Sequence, residues 1–169
     1  YKNNPIRSYL ANLHNIYYWY LSKRYKKRLK RYQLQDINFR LKNDDARKVL
    51  LEDYNLYNLI FLDAFTPSKC PCLWSYEFFK LLNEHLEGDG LILTYSTSAS
   101  IRAAMVEAGF EIGNIYNERL NRFTGTVAAK NKYQIKYPIS EYDLGLLKTK
   151  AGIFYRDENL NGLNKAINE

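Results

Sequence analysis

The side chains best able to do chemistry are concentrated in Asp63-Ala64-Phe65-Thr66-Pro67-Ser68-Lys69-Cys70-Pro71-Cys72-Leu73-Trp74. This stretch follows Leu59-Ile60-Phe61-Leu62, an apolar run rich enough in branched and aromatic residues to predict a buried strand. Open α/β sheets put their ligands at the carboxyl ends of strands, so Asp63 stands where a carboxylate can hold a basic group or accept its proton. The same acid can instead cap the amides of the loop that follows, as aspartates in turns commonly do. Pro67 and Pro71 forbid regular structure and fix the loop's path. Trp74 is expected to open an amphipathic helix that runs to about Leu86.

Other chemistries find little support. Cys70 and Cys72 are two residues apart in a proline loop, where a disulfide would be strained, and no histidine or further cysteine completes a metal set. Free thiols in a reducing cytoplasm are expected, and no metal. His14 and His85 fall on predicted helices without partners for a nucleophilic relay, and nothing resembles a hydrolase triad or a phosphate loop.

The elements that must position these residues alternate. Ile37 to Leu41 has the apolar–polar alternation of a strand, and Ala46 to Leu51 reads as a short helix capped by an aspartate. The Leu59–Leu62 strand and the Trp74–Leu86 helix follow, with Gly88-Asp89-Gly90 as the turn ending that helix. Leu91 to Tyr95 is the next strand. Ser98 or Ser100 caps a helix through Ala108, which Gly109 stops. Phe110 to Tyr116 and Gly125 to Ala129 form a closing antiparallel pair. Strands separated by helices predict an α/β fold with a mostly parallel sheet wrapped on both faces.

A chain of 169 residues can bury one core, although it is short for a complete enzyme of this architecture. It is expected to be a single domain with a basic, tyrosine-rich helical segment over residues 1–35. No apolar run approaches the ~20 residues needed to cross a bilayer. The net charge of +7 and isoelectric point near 9.3 favour a polyanionic partner. Much of the excess lies in residues 23–31, where Leu21, Tyr25, Leu29 and Tyr32 recur at helical spacing and leave a strongly basic remainder. That face either is solvated or tracks a phosphate backbone through Lys23, Lys26, Lys27 and Lys30. The 16 tyrosines suit RNA, whose exposed bases stack on aromatic rings.

Several segments together resemble one methyltransferase domain family, which completes 5-methylaminomethyluridine at the wobble position of bacterial tRNA. The Asp63–Trp74 stretch resembles that family's proline-rich motif after a strand-ending acid. Asn43-Asp44-Asp45-Ala46-Arg47, Thr94-Tyr95-Ser96-Thr97-Ser98 with Ile101-Arg102, Glu107-Ala108-Gly109-Phe110, and Arg122-Phe123-Thr124-Gly125-Thr126-Val127-Ala128 each have a counterpart there. Phe154-Tyr155-Arg156-Asp157-Glu158-Asn159-Leu160-Asn161 matches the tail, with Glu158 in place of a proline. The likeness covers about Asp36 to Glu169, and the first 35 residues match poorly.

The resemblance implies a Rossmann-like class I methyltransferase sheet wrapped by helices, here without its first strands. It implies S-adenosylmethionine as cofactor, tRNA as partner and an FAD-dependent oxidase as a possible second partner, in the cytoplasm. Asp63 would hold and orient the substrate amine and accept its proton. Phe65, Pro67 and Trp74 would line the uridine pocket, with plain packing as the alternative for Trp74. Tyr95 would face the transfer site, or serve as an ordinary sheet residue. Asp45, with Ala46, would receive the adenine amino group; Asp44 can serve instead, and either acid can be only a helix cap. Arg102 and Arg122 would contact phosphate or the modified base, unless they are solvated.

One part of the family pattern is missing. Class I methyltransferases hold the methionine end of the cofactor with a glycine-rich turn after the first strand, and no glycine precedes Gly88 here. Three readings stay open: a methyltransferase represented from inside its domain, a non-catalytic descendant that binds RNA or a protein, and a related methyltransferase with another amine substrate.

Overall fold

The computed structural model describes residues 23–24 and 40–167. The chain divides into two compact units, Tyr1–Asp44 and Asp45–Glu169. In the first, Lys23 and Arg24 are helical and exposed, and residues 40–44 are exposed and irregular. The predicted strand at Ile37–Leu41, like Lys26, Lys27 and Lys30, lies wholly or mostly outside the described residues.

The second unit begins with α1, Ala46–Leu51, where the Asp45 carboxylate accepts from the Arg47 amide and caps the helix. Strand β1, Tyr57–Leu62, leads through the loop and a 3-10 turn at Pro71–Leu73 into α2, Tyr76–Glu84. This helix is shorter than predicted at both ends. Trp74 closes the 3-10 turn, and the Ser75 hydroxyl accepts from the Phe78 amide to start the helix proper. Strand β2, Leu86–Thr94, starts almost at once, so Gly88-Asp89-Gly90 lies within the strand rather than in a turn. A register shift opposite Tyr57 and Leu59 absorbs the extra residues.

Helix α3, Ala99–Glu107, ends as expected at Gly109, whose φ of +90° suits glycine. Strands β3, Glu111–Asn117, and β4, Arg122–Ala129, form the predicted hairpin. Beyond them lie α4, Glu141–Leu147, and the short α5, Asn164–Ile167. The sheet order is β1-β2-β4-β3. β1 and β2 are parallel, but β2–β4 and β3–β4 are antiparallel, so the described sheet is mixed rather than mostly parallel. The hairpin turns back and inserts β4 beside β2, which reverses two of the three pairings. At Gly125 any Cβ would meet the Thr94 carbonyl at 2.2 Å, so this insertion needs glycine.

The core joins Trp74, Phe78, Phe79 and Leu82 from the loop and α2 to Ile92 of β2, Ile101 and Met105 of α3, and Phe110. Among the described residues β1 is an edge strand, and Leu59 and Phe61 are exposed. No helix among the described residues is long and apolar enough to cross a membrane.

Candidate functional site

One row of paired residues, Leu62–Thr94–Thr126–Asn114, crosses the whole sheet. Just past it lie Asp63 at the carboxyl end of β1 and Tyr95 at that of β2. Both follow parallel strands, which is why the sequence delivers them to one edge. Asp63 is exposed, and among the described residues its carboxylate accepts no hydrogen bond. It therefore does not cap its loop.

Two aromatic donors fix the residues that follow it. The Tyr95 hydroxyl donates to the Ala64 carbonyl at 3.0 Å, and the Trp74 indole N–H donates to the Phe65 carbonyl at 2.7 Å. The rings meet edge to face at 5.8 Å. Burial and then the charge of Asp63 raise the Tyr95 phenol above its ordinary pKa, which keeps it a donor. Trp74 is fully buried, so it supports the loop from below. Phe65 is 78% exposed at the rim, where Pro67 is half-buried.

The other predicted residues separate from this edge group. Asp45 accepts from Arg47 Nε and Nη2, the latter at 2.6 Å, as well as from its amide. The Arg47 side chain is the first cause of a lowered Asp45 pKa. Arg47 is itself buried and pairs with the buried Asp157 at 2.5 Å, tying the C-terminal tail to α1. Asp44 is exposed and Ala46 half-buried.

Arg102 is corrected outright. It is 4% exposed, and its guanidinium faces inward, donating to Thr126 Oγ1 at 2.9 Å and to Asn114 Oδ1 at 2.7 Å. Burial lowers its pKa and the charge of Asp143 opposes that. It cannot reach a phosphate from there, and instead locks α3 to the hairpin. Arg122 is exposed at the start of β4.

The cysteine sulfurs lie 3.6 Å apart as free thiols, and burial followed by the contact with Cys70 pushes Cys72 up to about 12. No group of metal-ligating side chains occurs among the described residues.

The family model for S-adenosyl-L-methionine-dependent methyltransferases matches residues 8–131. The chain belongs to this family. The match starts well upstream of Asp36, where the visible likeness began. An uncharacterised protein of Methanocaldococcus jannaschii is 32% identical over 147 residues, covering 80% of this chain and 41% of that protein. The tRNA 5-methylaminomethyl-2-thiouridine biosynthesis bifunctional protein MnmC of Burkholderia vietnamiensis is 36% identical over 66 residues, covering 39% of this chain and 10% of MnmC. The crystal structure of MNMC2 from Aquifex aeolicus superimposes with a TM-score of 0.66 at 28% identity, covering 81% of this chain and 47% of that one. The chain thus spans less than half the length of each of these proteins, and it resembles MnmC in sequence and has a Rossmann-like α/β fold.

The described residues do not by themselves fit the family's cofactor. Three N–H groups of Arg47 occupy most of the acceptor capacity of Asp45, whose side chain is 42% exposed. The glycines from Gly88 onward lie in strands, in helices or at helix ends, or, for Gly162, in the loop before α5 with its N–H held by Asp157, and none opens a strand-to-helix turn where backbone amides can approach a ligand.

Two features had no role in the sequence reading. Arg47 and Asp157 each sat in a family-like segment, but only the fold pairs them. Tyr116 and Tyr137 lie against Phe123 in the hairpin, and the in-register pairing of Tyr116 with Phe123 follows once the turn at residues 118–121 is known.

Proposed function

We propose that this chain is part of an enzyme that methylates the aminomethyl nitrogen of the wobble uridine in tRNA. The supporting observation is Asp63: an exposed carboxylate with no hydrogen-bond partner among the described residues, at the carboxyl edge of β1, on a loop held by two aromatic donors. Such a carboxylate suits a primary amine. It draws the ammonium form from solution, orients the nitrogen, and accepts the proton that must leave before the lone pair can react. Phe65 and Pro67, at the rim, suit the face of a uracil ring, and Tyr95 holds the loop beside them through the Ala64 carbonyl. Arg122 and the basic residues Lys23, Lys26, Lys27 and Lys30 serve the tRNA backbone. On this reading an FAD-dependent oxidase activity supplies the amine, and the reaction takes place in the cytoplasm.

The test is nucleoside mass spectrometry after incubating the whole enzyme of which this chain is part, rather than the 169-residue chain alone, with S-adenosylmethionine and tRNA that carries 5-aminomethyluridine. The methylated nucleoside should form, and Asp63→Ala should lower the rate at least ~100-fold with the fold intact. Near-normal turnover by Asp63→Ala would remove Asp63 from the chemistry.

A further inference from the structure

The β3–β4 hairpin continues past the row Leu62–Thr94–Thr126–Asn114 on the same side as Asp63 and Tyr95. Its projecting part pairs Ile115 with Gly125, Tyr116 with Phe123 and Asn117 with Arg122. There Tyr116, Phe123 and Tyr137 form an aromatic trio, with ring centroids 5.5 Å apart for Tyr116–Phe123, 5.7 Å for Tyr116–Tyr137 and 5.9 Å for Phe123–Tyr137. Phe123 keeps 51% of its surface in water, and Lys136 Nζ lies 5.1 Å from the Tyr137 ring. Arg119 and Arg122 flank the tip and are exposed.

Beyond the strongly basic first 35 residues, charge divides along the chain in a way that singles out this region. Residues 113–138 carry five cations against one acid, Glu118, whereas residues 40–112 carry seven cations against eleven acids. The hairpin and the segment after it to Pro138 combine an exposed Phe123 and half-buried Tyr116 and Tyr137 with unmatched cations, on a second unit whose other residues are net acidic, which suits a polyanion with unstacked flat groups. Single-stranded RNA has both properties, since its phosphates pair with cations and its splayed bases stack on aromatic rings.

We infer that the β3–β4 hairpin is an RNA-binding platform: Phe123 and Tyr137 stack unpaired bases of a loop whose phosphates meet Arg119, Arg122 and Lys136, which brings a neighbouring nucleotide to Asp63. This rests on tRNA being the substrate, and it names the part of the molecule that selects an unpaired loop over a duplex.

The probe is a fluorescein-labelled anticodon stem-loop RNA, set against a fully paired RNA duplex of the same length, in fluorescence anisotropy with the native protein. The stem-loop should bind more tightly. Phe123→Leu with Tyr137→Leu should weaken stem-loop binding about tenfold per stack lost and leave the duplex unchanged. Arg119→Gln, Arg122→Gln and Lys136→Gln together should weaken both RNAs and flatten the log–log salt slope by about two units, at roughly 0.7 per contact. Unchanged stem-loop binding in folded variants overturns the inference, as does native protein that binds no RNA. Should the leucine variant fail to fold, Phe123→Trp supplies the readout: its emission should be quenched by the stem-loop, and bound RNA without quenching overturns stacking. Hairpin-dependent RNA binding without methylation would sink the wobble-uridine reading alone. Methylation with hairpin-independent binding would sink the platform alone.

Discussion

At the scale of single residues, the loop after Asp63 depends on two hydrogen bonds of unequal standing. The Trp74 indole is buried, so Trp74→Phe strands the Phe65 carbonyl without a donor and leaves a void where the second ring was. Together these should cost about 1–3 kcal/mol, read as a lower urea midpoint. Tyr95 is 44% exposed, so water can replace its hydroxyl at the Ala64 carbonyl, and Tyr95→Phe should cost under about 1 kcal/mol. Equal losses in the two variants would mean that burial does not set the difference. The position of Asp63 was legible from the apolar run before it and the prolines after it. The inward turn of Arg102 was not, because an arginine in a helical segment looks the same in sequence whether it meets water or Thr126 and Asn114. The engagement of Asp45 by Arg47 was half legible: its capping role follows from its place before Ala46, but the Arg47 side chain folding back on it does not.

At the scale of elements, α2 and β2 meet at His85, which couples them to the segment before β1. Its Nδ1 lies 2.9 Å from the Leu81 carbonyl and its Nε2 lies 3.0 Å from the Asp53 carbonyl, so both nitrogens face acceptors and the doubly protonated ring satisfies both. Burial works against that charge, but the two carbonyls and the nearby Asp53 and Glu84 carboxylates outweigh it and raise the pKa above its ordinary value. Asp53 stays ionised, held at about 2 first by the Tyr57 hydroxyl and next by the Asn55 amide. A raised folded pKa means that the stabilisation is complete below about 6.5, the unfolded value, and is lost as pH rises through the folded one. The thermal midpoint of the native chain should therefore fall between about pH 6 and about pH 8 more than that of His85→Gln. Parallel curves would show that folding leaves the ring's pKa unchanged. The sequence placed α1 and α3 well, because Asp45 and Gly109 mark their ends by local chemistry, although Ser98 holds the N-cap position of α3 without its hydroxyl capping the helix. It misplaced the start of α2 and the whole Gly88–Gly90 segment, because the register between β1 and β2 is a long-range property. Helix α4 had a signal that went unread, the Ser140 hydroxyl accepting from the Asp143 amide.

At the scale of the whole molecule, the described residues supply the family's fold but not a complete site for its ligand. Fold class was legible because the alternation of strands and helices survives in the described unit, even though the inserted β4 makes its sheet mixed. The cofactor site is another matter, since it needs backbone amides free to approach the ligand, and those depend on glycine at a strand-to-helix turn. No glycine precedes Gly88, and later ones serve strands, helix ends or close backbone contacts such as that of Gly125 with Thr94. Asp45, the best remaining contact for an adenine amino group, has its oxygens engaged by Arg47, and freeing them would leave the buried Arg47–Asp157 pair short of a partner. The 169-residue chain should therefore give no binding heat with S-adenosylmethionine at micromolar concentrations in titration calorimetry. Asp63→Ala should leave that result unchanged, because Asp63 is assigned to the amine. Micromolar binding by the chain would mean that the cofactor is held without a glycine turn, and a further loss of that binding in Asp45→Asn would assign the adenine to Asp45 despite its bond to Arg47.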